Sequence, residues 1–370
     1  MCTLKDGEKS DRMVAGAKQD LVDSDGDKGL IIPDLSEQVA LLCLLRIPRL
    51  FHAGLRAVST HWNNLLRGPD FYAERKRLGF TDAWLVVFFT DVVASSFSCC
   101  MYDLRSRQML CRVRLHNFGL HHKLELESYK LGAIGSSIVI IEGRKSPLTY
   151  SDYNHTKIYD TVSNKWRDGA TMLTRRSHFA MGVIGNRLYV AGGCNRSGTL
   201  ASVEAYDLKK NEWATVASMP FGLESIQDEV VFQGKLYVFG HPFANKHCVV
   251  FVYDPIKDIW EQDVQMGMSM VHDGELVATD NCIYSVSTSD CFRKYDRDDG
   301  KWHLVGVETR PRTKVAFNRH AQRAFGLGNE LFLLRGELGG STIELNANRA
   351  VCHNLFLGES WFRAGAIVHA

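Results

Sequence analysis

The chain has 370 residues, of which 45% are hydrophobic, and its formal net charge is +2. This length exceeds that of one typical domain, and the hydrophobic content is that of an ordinary globular protein. A charge so close to zero gives no reason to expect a nucleic-acid partner. No apolar run is long enough to cross a bilayer and no secretory signal follows Met1, so we also expect no membrane partner.

Residues 1–29 contain no aromatic residue and mix lysine with aspartate, which predicts a disordered tail. The ten cysteines of the chain include no Cys-x-x-Cys pair, and several lie in apolar strand patterns, among them Cys99, Cys100 and Cys248. We interpret them as buried free thiols of a reducing compartment. The expected location is therefore the cytoplasm, the nucleus or both.

Residues 30–78 lack the strand pattern of the rest of the chain and predict a small helical domain. Ser36 is a suitable cap for the first helix, and Ile47-Pro48 ends it because the residue before proline disfavours the helical region. Four helices are predicted, over about 36–46, 51–58, 59–66 and 70–78. The basic run at 75–77 is interpreted as a solvated helix face. So small a domain has too little core to be stable alone, and we expect its apolar stripe to be covered.

From about residue 83 onward the sequence repeats every 42 to 47 residues. In each repeat a Tyr-Asp pair is followed, seven residues after the tyrosine, by a tryptophan. The four pairs are Tyr159/Trp166, Tyr206/Trp213, Tyr253/Trp260 and Tyr295/Trp302. Each predicts a hairpin, with the Tyr-Asp at the end of one strand, a polar turn, and the tryptophan at the start of the next strand. The aspartate is expected to bond its own turn backbone.

Two outer copies extend the repeat. Tyr102-Asp103 precedes Met109 by the same seven residues, and Asn354 precedes Trp361 likewise. A repeat of this length with four short strands per unit indicates a β-propeller, here of six blades between about 83 and 367. The predicted fold class is mainly β: a small all-α domain of three to four helices, followed by the propeller. The sequence does not indicate how the ring closes.

The best-preserved unit, residues 178–213, carries Gly192-Gly193, then Tyr206-Asp207, then Trp213. It resembles the kelch repeat, whose hallmarks are those same residues in that order. The other units are more degenerate. The resemblance implies that the repeated tryptophans are structural and that loops at one end of the propeller recognise a target protein.

The segments Leu35–Pro48 and Leu55–Leu66 resemble an F-box, a domain that docks onto the Skp-family adaptor of a cullin-RING ubiquitin ligase. Ser36 stands where that family usually has proline, and since serine still caps a helix we expect the fold to survive. The resemblance implies that six residues face the adaptor: Leu35, Val39, Cys43, Leu44, Ile47 and Pro48. It implies that four others form the internal core: Leu55, Val58, Trp62 and Leu66. On spacing alone, packing within the helical domain explains the same apolar positions.

An F-box followed by kelch repeats is abundant in plants, and the combination implies a substrate-recognition subunit of an SCF-type ligase. Aligning the strands places Arg176 in register with Glu224 and, more loosely, with Arg319. In kelch domains the residue at this position often faces the central cavity, so the resemblance implies that these three residues contact the target. The alternative for these three residues is a solvated loop charge. No catalytic residue, cofactor or metal site is predicted. The iron motif of plant specifier proteins is incomplete here, since Phe232 replaces its histidine after Glu224 and Asp228.

Two other classes of function remain open from the sequence. One is a ligase-independent binding protein whose degenerate F-box only covers the propeller. The other is a kelch-fold metabolic enzyme. Binding to the Skp-family adaptor would distinguish a ligase subunit from a ligase-independent binding protein. Bound metal would identify a kelch-fold enzyme.

Overall fold

The computed structural model divides the chain into two compact units, Met1–Ala83 with His369–Ala370, and Trp84–Val368. It describes residues 31–80, 82–91, 96–104, 108–114, 129–142, 154–161, 165–243, 247–269, 274–287, 292–308, 323–328, 330–334, 337–346 and 349–369. The predicted tail at 1–29 lies outside these residues. In the described part, no helix has both the length and the apolar character needed to cross a membrane.

The first unit is helical, as predicted. It contains α1 (Glu37–Arg46), a 3-10 turn (Arg49–Phe51), α2 (His52–Leu55), α3 (Thr60–Leu65) and α4 (Pro69–Arg77). The hydroxyl of Ser36 accepts a hydrogen bond from the Val39 amide at 3.5 Å, and that of Ser59 accepts one from the Trp62 amide at 3.0 Å. Both serines are therefore N-caps. The second predicted helix is shorter than expected, because a 3-10 turn occupies its start and it ends before Arg56.

The second unit contains four separate sheets of four antiparallel strands each. The first is β4 (Tyr129–Ile134), β5 (Ser137–Glu142), β6 (Thr156–Asp160) and β7 (Lys165–Gly169). The second has β8 (Ala180–Ile184), β9 (Arg187–Ala191), β12 (Val203–Asp207) and β13 (Glu212–Val216), with the short ribbon β10 (Cys194–Asn195) and β11 (Gly198–Thr199) inserted. The third is β14 (Ser225–Phe232), β15 (Lys235–His241), β16 (Val249–Asp254) and β17 (Ile259–Gln262). The fourth is β18 (Gly274–Ala278), β19 (Ile283–Ser287), β20 (Phe292–Asp296) and β21 (Lys301–Leu304).

The first strands of successive sheets pack against one another: β4 on β8, β8 on β14, and β14 on β18. This is the arrangement of propeller blades around an axis, and it lets each sheet bury both faces against its neighbours. The packing is close. A Cβ added at Gly182 of β8 would lie 2.6 Å from Val231 Cγ2 of the next sheet and 2.8 Å from Leu236 Cδ1. A helix, α5 (Val264–Ser269), follows the third sheet and was not predicted, although Asp263 accepts the Met266 amide at 2.9 Å as its N-cap.

The first and last strands of the unit belong to one sheet of eight strands. They are β1 (Ala83–Asp91), β2 (Ser96–Asp103), β3 (Gln108–Arg114), β22 (Gly306–Glu308), β23 (Arg323–Leu327), β24 (Glu330–Leu334), β25 (Glu337–Asn346) and β26 (Arg349–His369). Their order in the sheet is β23-β24-β25-β26-β1-β2-β3, with β22 beside β26. Pairing of β26 with β1 places the first and last strands of the unit in the same sheet. Because these strands form one sheet, the count of six blades stays a prediction.

The predicted hairpins are confirmed in the described repeats. Tyr159, Tyr206, Tyr253 and Tyr295 each pair across the sheet with the expected tryptophan, and Tyr102 pairs with Met109. The copy proposed at Asn354 and Trp361 is wrong, because both residues lie within β26. The true turns have Asn211, Asp258 or Gly300 five residues after the tyrosine, at φ values of 56°, 54° and 67°. Glu359 occupies the corresponding place after Asn354, and glutamate seldom adopts that conformation.

Candidate functional site

Helix α1 has two apolar faces. Its inward face carries Ala40 and Leu44, one turn apart and fully buried. Its outward face carries Val39, which is 46% exposed, and Cys43, which is exposed one turn further along. Pro48 is exposed at the corner that follows, while Leu35 and Ile47 are half-buried. The outward face is therefore an apolar surface that no described residue of the helical unit covers.

Leu44 does not belong to that surface. Its side chain is fully buried in a cluster with Leu45, Leu66 and Phe71, which is the core of the helical unit. The expectation that Leu44 faces an adaptor is wrong, because it lies on the face of α1 opposite to Val39. The expected internal role is confirmed for Leu66, and Leu55 and Trp62 pack against the cluster half-buried. Val58 was also placed in the core and is 62% exposed, so that placement is wrong.

A polar network fixes the corner at the end of α1 from inside. Arg75 of α4 is buried and donates to the carbonyls of Leu45 and Ile47. It also donates to Asp82 Oδ2 at 2.8 Å, and the same oxygen accepts the Arg49 amide at 2.9 Å. The interpretation of residues 75–77 as a solvated face is therefore wrong for Arg75. A buried guanidinium with these partners holds two carbonyls that the end of α1 leaves unpaired.

His52 completes this network. Its Nε2 lies 3.0 Å from the Ile47 carbonyl oxygen and its Nδ1 lies 3.2 Å from the Tyr72 hydroxyl. Burial, despite the bond to Ile47, lowers the pKa of His52 to about 4, so the imidazole is neutral at physiological pH. The corner that orients α1 thus depends on an uncharged histidine.

Within each four-stranded sheet the strands alternate in direction. The loop between the second and third strands therefore lies at the same end of the propeller as the loops that connect successive sheets. We call the described residues 170–179, 192–202, 217–224, 242–243 and 247–248 the loop face. Hydrogen bonds join neighbouring loops of this face. Ser177 and Cys194 exchange two backbone hydrogen bonds of 2.9 Å, the Met219 amide donates to Ala201 at 2.9 Å, and the Glu224 amide donates to His241 at 2.8 Å.

Arg176 belongs to loop 170–179 of the loop face, but its side chain is buried beneath the surface. Its guanidinium is fully buried and donates to Glu204 Oε1 at 2.6 Å and to the carbonyls of Gly192 and Ser202 at 2.8 Å. Glu204, also fully buried, accepts the amides of Leu173 and Thr174 at 2.7 and 3.0 Å. The prediction that Arg176 contacts a target is wrong, because all this bonding holds loops 170–179 and 192–202 together. Glu224 is exposed on the loop face, and Arg319 lies outside the described residues.

Two of the repeated tryptophans clamp their sheet to the end of the preceding one. The Nε1 atoms of Trp213 and Trp260 donate to the carbonyls of Ala170 and Ala217, each at 2.8 Å, and each alanine directly follows the last strand of the preceding sheet. The amides of the same alanines donate to Asn211 Oδ1 at 3.0 Å and Asp258 Oδ1 at 2.9 Å. Those oxygens also accept the hydroxyls of Tyr206 and Tyr253 at 2.6 Å.

The signal for this clamp was in the sequence, as an asparagine or aspartate five residues after the tyrosine. The Tyr253 hydroxyl and the Ala217 amide hold the pKa of Asp258 below its usual range. In the fourth sheet Gly300 takes the place of that side chain. There Trp302 Nε1 is buried and has no hydrogen-bond partner among the described residues.

Ionisable groups also meet near the first strands of the sheets. Lys130 of β4 forms an ion pair with Glu229 of β14, and so spans from the first of the four sheets to the third. Asp228 accepts the Leu276 amide of the next sheet at 2.6 Å and the Glu229 amide at 2.8 Å. Burial, with the neighbouring Glu229 charge, raises the pKa of Asp228 to about 7. These contacts tie sheets together.

One group in the described part has the geometry of metal ligands. Asp296, Asp299 and His303 place donor atoms within 4.8 Å of one another on the β20–β21 hairpin. Their contacts are those of an ordinary turn: Asp296 accepts the Asp298 amide at 2.8 Å, and Asp299 pairs with His303 at 2.7 Å. We assign no metal to them. Cys99, Cys100 and Cys248 are buried free thiols, as expected, whereas the free thiol of Cys43 is exposed.

Comparison with known proteins gives matches over most of the chain. The family model described as FKB95, Kelch-repeats domain, matches residues 104–349. F-box/kelch-repeat protein At1g16250 of Arabidopsis thaliana is 26% identical over 335 residues, which cover 83% of each chain. From the same plant, F-box/kelch-repeat protein At4g39580 is 28% identical over 296 residues, 75% of this chain and 73% of the relative. F-box/kelch-repeat protein At1g30090 is 30% identical over 277 residues, 70% of this chain and 65% of the relative.

Proposed function

Because the chain belongs to the F-box/kelch-repeat family, we propose that it is a substrate-recognition subunit of an SCF-type E3 ubiquitin ligase. The helical unit docks on a Skp-family adaptor, and through it on a cullin-RING ligase. The propeller holds a target protein for ubiquitination. The chain performs no chemistry itself. It raises the effective concentration of the target's lysines near the ubiquitin-loaded conjugating enzyme. Its place of action is the cytoplasm or the nucleus.

The observation that carries the proposal is the outward face of α1. Val39 and Cys43 are exposed there although the unit has a filled core of its own. A small helical unit with an uncovered apolar stripe gains stability when a partner buries that stripe. Ser36 caps α1 in place of the usual proline, so the helix that presents these side chains is intact. The Arg75 and His52 network then holds the end of α1 in one orientation.

The proposal is tested by co-expression with a Skp-family adaptor, followed by size-exclusion chromatography. The wild-type chain is expected to elute as a stoichiometric complex. Val39→Asp is expected to abolish the complex while the propeller stays folded, because it places a charge in a buried apolar contact. Leu44→Asp does not serve this purpose, since Leu44 is in the core and its substitution would unfold the unit.

The matched control is Ala73→Asp, which adds the same charge at an exposed position of α4 outside the residues assigned to the adaptor. It is expected to keep the complex. If Val39→Asp still co-elutes with the adaptor, the interface is misplaced. If the folded wild-type chain forms no complex, the ligase role fails and the propeller is a binding module that works without a ligase.

A further inference from the structure

Three apolar side chains are exposed on adjoining loops of the loop face. Leu173 is 60% exposed in loop 170–179, Phe221 is 42% exposed in loop 217–224, and Phe243 is 85% exposed in the loop after β15. Single exposed apolar residues are common on any protein surface. Large ones gathered at one end of a domain mark an interaction site.

These loops form one continuous strip. Loop 192–202 is hydrogen-bonded on one side to loop 170–179, through Ser177 and Cys194, and on the other side to loop 217–224, through Ala201 and Met219. The loop after β15 begins beside loop 217–224, because the Glu224 amide donates to the carbonyl of His241, the last residue of β15. Beneath the strip, the buried Arg176–Glu204 pair fixes the backbone at Leu173 and Thr174. A surface held this way is preorganised, so that a ligand loses less free energy to ordering it.

The charge of the strip is basic. Arg175 and Arg196 are exposed on it, against the single exposed carboxylate of Glu224. The nearby carboxylate of Glu204 does not offset them, because it is buried and paired with Arg176. The exposed His178 and His247 add no negative charge. Aromatic side chains beside arginines are the composition of binding hot spots, and exposed arginines attract carboxylates over a distance.

We propose that this strip binds a segment of the target protein in which acidic residues flank aromatic or aliphatic side chains. Phe221, Phe243 and Leu173 contact the apolar side chains, and Arg175 and Arg196 pair with the acidic ones. The inference rests on the proposed function, since it names the kind of target segment that the propeller holds. The arginine that faces the target is then Arg175, which is exposed, and not the buried Arg176.

The experiment selects a random peptide library displayed on phage against the full-length chain. The expected result is enrichment of sequences that combine aspartate or glutamate with aromatic or aliphatic residues. A synthetic copy of the most enriched peptide is then titrated against two variants, Phe243→Ser and the double variant Arg175→Glu, Arg196→Glu. Each is expected to weaken binding by about tenfold or more, as hot-spot substitutions do. The loss of affinity caused by the arginine double variant should become smaller as salt is added, because salt screens the attraction between exposed charges.

Matched controls are available at the opposite end of the propeller, on the turns between third and fourth strands. Ile256→Ser removes an equally exposed apolar side chain, and Lys209→Glu with Lys210→Glu reverses two exposed charges. Both are expected to bind the peptide within about twofold of the wild type. Enrichment of basic peptides, of peptides without apolar residues, or of none at all would overturn the inference. Equal losses in the variants and their controls would also overturn it.

The two proposals fail separately. Val39→Asp should lose the adaptor and still select the same peptides. A chain that binds the adaptor but selects no acidic apolar peptide contradicts only the proposed target class. A chain that selects such peptides without binding the adaptor contradicts only the ligase role.

Discussion

Substituting the clamping tryptophans by phenylalanine tests how the sheets are held together. In Trp213→Phe, the half-buried Ala170 carbonyl loses its 2.8 Å donor, and leaving this acceptor unpaired costs about 1–3 kcal/mol. The smaller ring, in a site where Trp213 is nearly buried, adds about 1 kcal/mol for the cavity. The expected loss in unfolding free energy is therefore about 2–4 kcal/mol.

Trp302 is the matched control, since it occupies the same place in its repeat. Its ring lies 5.1 Å from that of Tyr295, as the ring of Trp213 lies 5.1 Å from that of Tyr206. Its Nε1 atom, however, is buried without a partner in the described part of the chain. Trp302→Phe removes an unsatisfied donor, a gain of about 1–3 kcal/mol that offsets the cavity cost. We expect this variant to lie within about 1 kcal/mol of the wild type.

The assay is urea unfolding followed by the fluorescence of the tryptophans that each variant keeps, scaled to its own folded and unfolded baselines, because helices contribute strongly to far-UV circular dichroism and would mask the strands. Asn211→Gly provides a second test, since glycine keeps the positive φ and copies Gly300 of the fourth sheet. It should speed hydrogen exchange of the Ala170 amide, which loses its acceptor. Equal losses in Trp213→Phe and Trp302→Phe would refute the clamp as a source of stability.

Three further predictions concern stability. Arg176→Met should cost about 3–5 kcal/mol by leaving Glu204 buried and unpaired, and adding Glu204→Gln should recover part of it; urea midpoints that do not separate single from double variant would contradict this. As pH falls from 6.5 to about 4, His52 becomes protonated in the unfolded chain but stays neutral in the folded unit, so the free energy of unfolding of the helical unit should fall by up to about 3 kcal/mol. The circular dichroism of the helices, followed as acid is added, should show this loss in the wild type and much less of it in His52→Gln. Gly182→Ala should cost about 1–3 kcal/mol through the contacts of its Cβ, whereas Gly54→Ala, with nothing within 4 Å, should not destabilise, and similar thermal midpoints would count against the close sheet packing.

Local signals in the sequence predicted the elements well. The serine caps, Ile47-Pro48 and the Tyr-Asp turns each act within a few residues, so they specify helix ends and hairpins without knowledge of the rest of the chain. The failure at Asn354 has the same origin. Spacing alone suggested a turn there, but the residue five places on is Glu359, which is unsuited to a left-handed backbone. Reading the turn residue together with the spacing would have avoided the error.

The site residues were harder to predict because their roles depend on distant partners. Arg176 is buried because Glu204 lies beside it in the folded sheet, and Arg75 is buried because α1 ends against α4. Neither pairing is visible in the sequence. Val39 and Leu44 are both apolar and five residues apart, and only the fold shows which of them faces inward. The exposed Leu173, Phe221 and Phe243 gave no signal in the sequence, since they lie in loops that do not repeat.

The most direct test of the account is an equilibrium titration of the purified chain with a purified Skp-family adaptor by isothermal calorimetry. We expect saturable one-to-one binding with a negative change in heat capacity, because the outward face of α1 is buried in the complex. Absence of binding heat at any temperature, with circular dichroism showing that both the helices and the strands are folded, would contradict the assignment of this chain to a ubiquitin ligase.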